Sequence, residues 1–343
     1  MMIELNTIYN MDCVEGLKQI PDNTINCCVT SPPYFRLRDY NVQGQIGLED
    51  TPEAYIEKLL NVFSEVKRVL RDDGLLWLNI GDSYAGGKIG RFDSGDSGKF
   101  GGPILGFRYN SIPQGIKQKD LIGIPWMLAF ALRADGWYLR QDNIWFKPNA
   151  MPESVKDRCT KAHEYMFLLT KSARYYFDHD AMLEEATGYD GRKDTVLKGG
   201  KKYHAKRRER WQYKNLQPKG QTPNSIHLSR LVGEEYLSPV RNKRSVWIVP
   251  NKPFKDDHFA TFPEKLIEPC ILAGCPEGGI VLDPFMGAGT TALVARNNNR
   301  NYIGFELNQD YIDIAEARLK SKEAMLQTSM IKQGDFNDRF GSD

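Results

Sequence analysis

Apolar residues in this chain fall into short runs and helical stripes that alternate along the sequence. Ile25 to Thr30 (INCCVT) is a short apolar run stopped by Ser31-Pro32-Pro33-Tyr34, which predicts a strand buried in a parallel sheet. From Pro52 to Leu70, the residues Tyr55, Leu59, Leu60, Phe63, Val66 and Leu70 recur near helical spacing. They predict an amphipathic helix ended by Asp72-Asp73-Gly74. Leu75 to Ile80 (LLWLNI) predicts another strand, closed by Gly81-Asp82. Strand, helix and strand in succession argue for βαβ units. The pattern continues with a helix over Leu121–Asp135 and strands over Tyr138–Phe146, Lys161–Thr170, Ala173–Phe177 and Val246–Val249. A helix over Phe262–Ala273, a strand over Gly279–Leu282, a helix from Thr290 to Arg296 and a strand over Tyr302–Phe305 complete it. Gly81 to Gly102 is rich in Gly, Ser and Asp without periodicity, so residues 81–115 are expected to form a mobile loop that closes over a ligand.

Length and composition narrow the class. A chain of 343 residues predicts two domains, or one large α/β domain carrying an insertion. With 41% hydrophobic residues it can bury a sizeable core, which excludes wholesale disorder. The start MMIELNTIYN shows no basic segment followed by an apolar one, so no secretory signal is expected. The longest apolar stretch, Ile122–Leu132, falls far short of the roughly 20 residues that span a bilayer. Six cysteines without CxxC spacing and five histidines without ligand spacing predict neither a disulfide framework nor a metal site, and a reducing cytoplasm as the setting. The total charge of +2 is uninformative, but its distribution is not. Between Glu185 and Ser245 there are fifteen Lys and Arg against six Asp and Glu. Lys201, Lys202, Lys206, Arg207, Arg208 and Arg210 are interleaved there with Tyr203, Trp211 and Tyr213, a mixture suited to phosphate contact and base stacking. A solvated surface is the other reading of the same segment.

Two constellations carry chemistry. In IVLDPFMGAGTTALVARNNNRNYIGFE, a strand ends at Asp283, a glycine loop with Gly287 and Gly289 follows, and after a helix the next strand ends at Glu306. Glycines allow close approach of backbone to ligand, and a carboxylate at the second strand end can accept two ribose hydroxyls. The spacing formally fits an NAD fingerprint. Asp283 argues otherwise, because an acid at this corner would repel a pyrophosphate and favour S-adenosylmethionine, whose ammonium and sulfonium are cationic. The second constellation is Thr30-Ser31-Pro32-Pro33-Tyr34 on a strand end. Consecutive prolines fix φ and remove N–H donors, so the carbonyls of Ser31 and Pro32 project as an acceptor pair suited to an exocyclic amine. Tyr34 offers a face on which a base can stack.

On these residues the chain resembles the class β DNA amino-methyltransferases. TSPPY is similar to their catalytic motif, and DPFMGAGTT with GFELNQDYIDIAEARL to their cofactor motifs. Asn10-Met11-Asp12-Cys13, IWFKPNAMPES, HEYMFLLTKSARYYFD and HFATFPEKLIEPCILA agree. The resemblance covers roughly residues 6–180 and 245–320, with the catalytic motif first and the cofactor motif last. It implies an α/β, doubly wound, mostly parallel seven-stranded Rossmann-like sheet with an inserted target-recognition region. The catalytic domain is expected over 1–180 and 246–325, recognition over 181–245, and a polar tail over 326–343. It further implies that Asp283, Phe285, Gly287, Gly289 and Thr290 line S-adenosylmethionine, Asp283 near the methionine ammonium. Glu306 would hold its ribose, Asp12 and Cys13 would flank its adenine, and His258 and Phe259 belong to a remaining cofactor motif. Ser31, Pro32, Pro33 and Tyr34 would hold a base flipped out of duplex DNA.

The family carries Ser at the first motif position in most cytosine-N4 enzymes and Asp or Asn in most adenine-N6 enzymes. Ser31 therefore favours direct transfer to cytosine N4, with adenine N6 as the alternative. A hydroxyl can also donate toward the cytosine ring nitrogen, which an ionised Asp cannot. Cys270 follows Pro269, as a C5-cytosine nucleophile often follows proline, but inside a helical pattern a core thiol is the reading favoured. A non-catalytic DNA-binding module and an NAD-dependent oxidoreductase remain the readings from other classes. Expected partners are double-stranded DNA, with no membrane, and a cognate restriction endonuclease related by function, the protein being a monomer or homodimer in bacterial, archaeal or phage-derived cytoplasm.

Overall fold

The computed structural model describes residues 3–40, 42–86, 112, 115–185, 240–251 and 262–321. These divide into two units: residues up to Phe177 together with those from Ser245 onward, and Asp178–Arg244. Lys201, Lys202, Lys206, Arg207, Arg208 and Arg210, as well as His258, Phe259, most of the 81–115 loop and the 326–343 tail, lie outside the described residues.

In chain order the first unit holds β1 (Thr7–Asn10), α1 (Cys13–Leu17), β2 (Ile25–Thr30), α2 (Pro52–Val69), β3 (Leu70–Ile80), α3 (Ile124–Ala134), β4 (Tyr138–Phe146) and β5 (His163–Thr170). The second unit holds a single turn of 3-10 helix (His179–Met182) and the antiparallel strands β6 (Leu183–Glu185) and β7 (Val240–Asn242). The first unit resumes with β8 (Val246–Ile248), α4 (Glu264–Gly274), β9 (Ile280–Asp283), α5 (Thr290–Asn297), β10 (Asn301–Glu306) and a helix α6 over 309–321.

Eight strands form one sheet in the order β1-β10-β9-β2-β3-β5-β4-β8, one strand more than the seven expected, because the three-residue β8 adds to the edge beside β4. Only β5 runs antiparallel to its neighbours. The central strands carry side chains that alternate between two covered faces. Cys28, Leu76, Leu78, Phe167 and Leu282 belong to the cluster that includes Leu17 of α1, Leu59 and Phe63 of α2 and Leu128 of α3. Cys27 and Leu75 face α4, where a Cβ on Gly274 would come within 2.8 Å of Cys27 Sγ and 2.6 Å of Leu75 Cδ1. Helices on both faces make the sheet doubly wound. Its order turns at β2 and β9, whose paired registers (Cys27 with Val281, Cys28 with Leu282) bring the early and late segments side by side. Ligands in such sheets bind beyond the carboxyl ends of the strands at this turning point.

Several elements differ from the sequence pattern. Helix α2 stops at Val69, and Asp72-Asp73-Gly74 lies within β3 rather than ending the helix. Ile25 pairs with Leu70 and Cys27 with Leu75, so the intervening polar residues are accommodated as a bulge. Helix α3 begins at Ile124, not Leu121, since the Asp82 carboxylate accepts from the Gly123 and Ile124 amides at 3.0 and 3.2 Å and Leu121 bridges to Tyr84. Ala173–Phe177 is not a strand; it has no ladder partner and is tied to the β3 bulge by the Tyr176 amide donating to the Asp73 carbonyl at 2.8 Å. β1 and α1 had no apolar signal strong enough to announce them. Asp12 caps α1, accepting from the Val14 and Glu15 amides at 2.9 and 3.1 Å. Among the described residues no helix is long and apolar enough to cross a membrane.

Gly16 sits in α1 where a Cβ would lie 2.2 Å from the Phe305 ring of β10. Gly16→Ala is expected to destabilise the fold by about 1–3 kcal/mol through overpacking, read as a lower urea midpoint at unchanged slope.

Candidate active site

The carboxyl ends of β2 and β9 are locked together by one buried carboxylate. Asp283 Oδ1 accepts from the Thr30 hydroxyl at 2.6 Å and from the Phe285 amide at 3.0 Å, and Oδ2 accepts from the Thr291 hydroxyl at 2.6 Å. Asp283 is 1% exposed. Burial raises its pKa to about 6, against the pull of the Thr291, Thr30 and Phe285 hydrogen bonds toward lower values. The clasp orients the loop that follows. Gly287 takes a φ of +51°, its amide donates to Glu306 Oε2 at 2.8 Å, and no atom lies within 4 Å of where a Cβ would be. Glu306 also accepts from the Asn308 amide at 2.9 Å through Oε1, and burial pushes its pKa upward. Backbone amides thus use part of its roughly four acceptor sites.

These groups line a cavity of about 360 Å³ at the strand ends. Ser31, Pro32, Pro33 and Tyr34 line the same cavity, as do Asp12, Cys13, Asp283, Phe285, Gly287, Thr290 and Glu306. Among the described residues, no turn or loop amide and no side chain donates to the carbonyls of Ser31 or Pro32, whereas that of Pro33 accepts from the Tyr55 hydroxyl at 2.8 Å. Burial pushes the Cys13 thiol up to about 12, so it stays protonated.

Tyr34 is held from behind. Its hydroxyl donates to Glu164 Oε2 at 2.7 Å and lies 3.3 Å from Asn79 Oδ1. The Asn79 amide reaches Glu164 Oε2 at 3.3 Å and the Tyr165 carbonyl at 3.0 Å. Lys147 pairs with Glu164 Oε1, and its ammonium sits 4.1 Å from the centre of the Trp145 ring. Burial, followed by the nearby Glu164 carboxylate, pushes the Tyr34 phenol well above its usual range. A Cβ at Gly81 would come within 2.6 Å of the Tyr34 ring, so glycine there admits the tyrosine.

A family model described as DNA methylase, covering N6 and N4 enzymes, matches residues 25–317. The chain belongs to the N6/N4 DNA methylase family. Within it, the chain is 45% identical over 323 residues to the type II methyltransferase M.Cfr9I of Citrobacter freundii, covering 94% of this chain and 90% of that protein. It is 41% identical over 309 residues to the type II methyltransferase M.SmaI of Serratia marcescens, covering 90% and 88%. Among solved structures, the PvuII DNA methyltransferase, described as cytosine-N4-specific, aligns with a TM-score of 0.58 at 17% identity, covering 92% of this chain and 86% of that one. A Thermus thermophilus protein solved in complex with S-adenosyl-L-methionine aligns at 0.52 and 20% identity, covering 91% of both chains. The likeness to these solved structures shows a shared Rossmann-like fold. S-adenosylmethionine is the methyl donor of the family. Membership in the family replaces the oxidoreductase reading of the glycine loop.

For two of the residues that the family motifs single out, the geometry adds a structural task. Gly289 does not line the cavity; with a φ of +77° it begins α5, and a Cβ there would lie 2.6 Å from the Ala315 Cβ of α6, which gives it a packing role. Asp283 is already engaged by three donors, so its first task is to join the two strand ends. Asp12 likewise combines a place on the cavity wall with its capping role. Cys270 is a core thiol of α4, fully buried, with its Sγ 3.6 Å from the Leu266 carbonyl. The sequence pattern did not single out Asn79, Lys147, Glu164, Tyr40 or Tyr311, all of which line the cavity. Tyr40 and Tyr311 meet edge to face with centroids 6.0 Å apart. Glu164 and Lys147 fall inside the family-like segments HEYMFLLTKSARYYFD and IWFKPNAMPES, but nothing in the sequence assigns either a role.

A buried acid with a raised pKa contributes stability that is complete below its unfolded value of 3.8 and lost as pH rises through about 6. Ionised Asp283 is thus expected to cost on the order of 3 kcal/mol at neutral pH. Urea melts at pH 5 and pH 7 check this: the loss of stability on raising the pH is expected to be smaller in Asp283→Asn than in the parent protein.

Proposed function

We propose that the protein is a type II DNA methyltransferase that methylates the exocyclic N4 amine of a cytosine flipped out of duplex DNA, with S-adenosylmethionine as donor. The observation that carries this reading is that the Ser31–Tyr34 loop, the glycine loop at Gly287 and Glu306 at the end of β10 line one cavity. Binding of the donor fits the second loop. The open position at Gly287 admits close approach, and Glu306 retains acceptor capacity for a vicinal pair of hydroxyls. When bound, the donor supplies an electrophilic methyl group on a sulfonium.

The chain's own residues then have three tasks. The carbonyls of Ser31 and Pro32 accept the N–H groups of the amine, which favours a nitrogen whose lone pair is localised rather than shared with the ring. Tyr34 presents its ring to the extruded base, a contact worth about 1–3 kcal/mol in stacking. Extrusion itself costs a few kcal/mol, so these contacts must exceed what the base loses on leaving the duplex. The rest is placement. Ser31 at the head of the motif supports cytosine over adenine, since its hydroxyl can donate to the ring nitrogen beside the amine.

In the same reading, the segment from Lys201 to Arg210 supplies phosphate contacts, and His258 and Phe259 complete the donor site. The type II methyltransferases among the relatives support a setting in restriction-modification, with an endonuclease of matching sequence preference as the functional counterpart.

Expression in a bacterium free of DNA methylation, followed by digestion and mass spectrometry of its nucleosides, is expected to show N4-methylcytosine. N6-methyladenine in its place would overturn the base assignment. Glu306→Ala is expected to weaken S-adenosylmethionine binding about 10- to 100-fold in calorimetry, as for loss of hydrogen bonds to a charged group.

A further inference from the structure

One carboxylate on the cavity wall has no part in the chemistry described so far, yet it holds two of the groups that line the cavity. We propose that Glu164 is a positioning residue: it fixes the plane of the Tyr34 ring by holding the phenol with one oxygen and the Lys147 ammonium with the other. The proposal deepens the reading of the cavity as a pocket for an extruded base and rests on that reading.

Sheet register builds the device. Glu164 lies near the start of β5, directly across from Trp145 of β4, and the Lys147 amide donates to the Ala162 carbonyl at 2.8 Å just beyond that pair. On the other side, β5 pairs with β3 so that Asn79 stands opposite Met166 and Ile80 opposite Tyr165. Three neighbouring strands therefore deliver Asn79, Glu164 and Lys147 to one spot. Lys147 and Glu164 are 16% and 17% exposed, so the pair is largely withdrawn from water. Such a pair is a weak source of net stability, but it has few alternative geometries once formed.

Both oxygens of the carboxylate are engaged. Oε1 takes Lys147, while Oε2 takes the Tyr34 hydroxyl at 2.7 Å and the Asn79 amide at 3.3 Å. Tyr34 follows two prolines, which limit the backbone, and its ring packs over Gly81. The hydroxyl end is then the remaining freedom of the side chain, and Glu164 makes its shorter tie, with Asn79 Oδ1 at 3.3 Å beside it. A glutamine cannot substitute. With its oxygen toward Lys147 its amide nitrogen meets the Asn79 amide, a second donor, and with its oxygen toward Tyr34 and Asn79 that nitrogen meets the Lys147 ammonium. A base stacked on a ring that swings is displaced from the donor, and a displacement of about 1 Å in an active site can lower the rate about 100-fold.

The test is a mutant cycle in the full-length protein, once the target position has been mapped in cellular DNA. Glu164→Gln is expected to lower the single-turnover methylation rate about 100-fold, while the Kd for S-adenosylmethionine in calorimetry changes less than about twofold. In a Tyr34→Phe background the same replacement is expected to cost less than about threefold, because residues that act through one another are not additive. A duplex carrying pyrrolocytosine at the target position adds a readout without the donor. Its anisotropy on binding is expected to be lower with Glu164→Gln than with the parent protein, reporting a looser base.

Equal losses in both backgrounds, or unchanged anisotropy, would overturn the proposal and leave a role in stability alone. If Glu164→Gln fails to fold, Lys147→Met breaks the other bond to the same carboxylate and is expected to show the same non-additivity with Tyr34→Phe; additivity there overturns the proposal as well. The identity of the methylated nucleoside reports separately on the base assignment, so an adenine product with the coupling intact would correct the substrate and keep the role of Glu164.

Discussion

A carboxylate without water around it must find donors, and Asp283 finds them on both sides of a seam in the chain. Thr30 closes β2, early in the sequence, and Thr291 opens α5, just after the loop that Asp283 begins. The three groups meet because β2 and β9 are neighbours in the sheet. Burial and hydrogen bonding oppose each other at this carboxylate, and burial prevails. The charged form is held in place at a net cost, which means that its value to the protein is geometric. It sets the distance between the proline loop and the glycine loop, and the cavity between them exists only if that distance is kept.

The opposite wall has a different origin. β5 is the one strand that runs against its neighbours, and this reversal brings its beginning, rather than its end, to the side of the sheet where β2, β3, β4 and β9 finish. Glu164 reaches the cavity by that reversal. An all-parallel sheet would have placed a strand's final residues there and its first residues on the far side. Direction of one strand, set by a hydrogen-bonding register, thus decides which acids and bases share a pocket.

How much of this was legible in the amino-acid order depends on how local the cause was. The TSPPY turn and the glycine loop could be read directly, because prolines and glycines act on their own backbone, and β2, β4 and α2 followed from periodicity nearly to the residue. The packing task of Gly289 was hidden because its cause is Ala315, on another helix. Asp72-Asp73-Gly74 looked like a stop signal and became a bulge, since pairing with β2 overrode the local preference for a turn. Ala173–Phe177 has strand-like residues but pairs with no strand of the sheet. Glu164 and Lys147 were illegible for the same reason as Gly289: their meaning comes from register among three strands, which no window along the chain displays.

The second unit is described only at its base, where β6 and β7 pair over three residues each. Glu184 takes Arg241 at 2.9 Å, and His179 meets Asn242 at 2.7 Å, so the outgoing and returning chains are stapled to each other. Such a stem closes the segment on itself at its two ends. Residues could be gained, lost or exchanged past the staple at an entropic expense that grows only with the logarithm of their number. The proline and glycine loops would keep their spacing throughout. A lineage can therefore vary the length and sequence between these two strands while the cavity stays under unchanged selection.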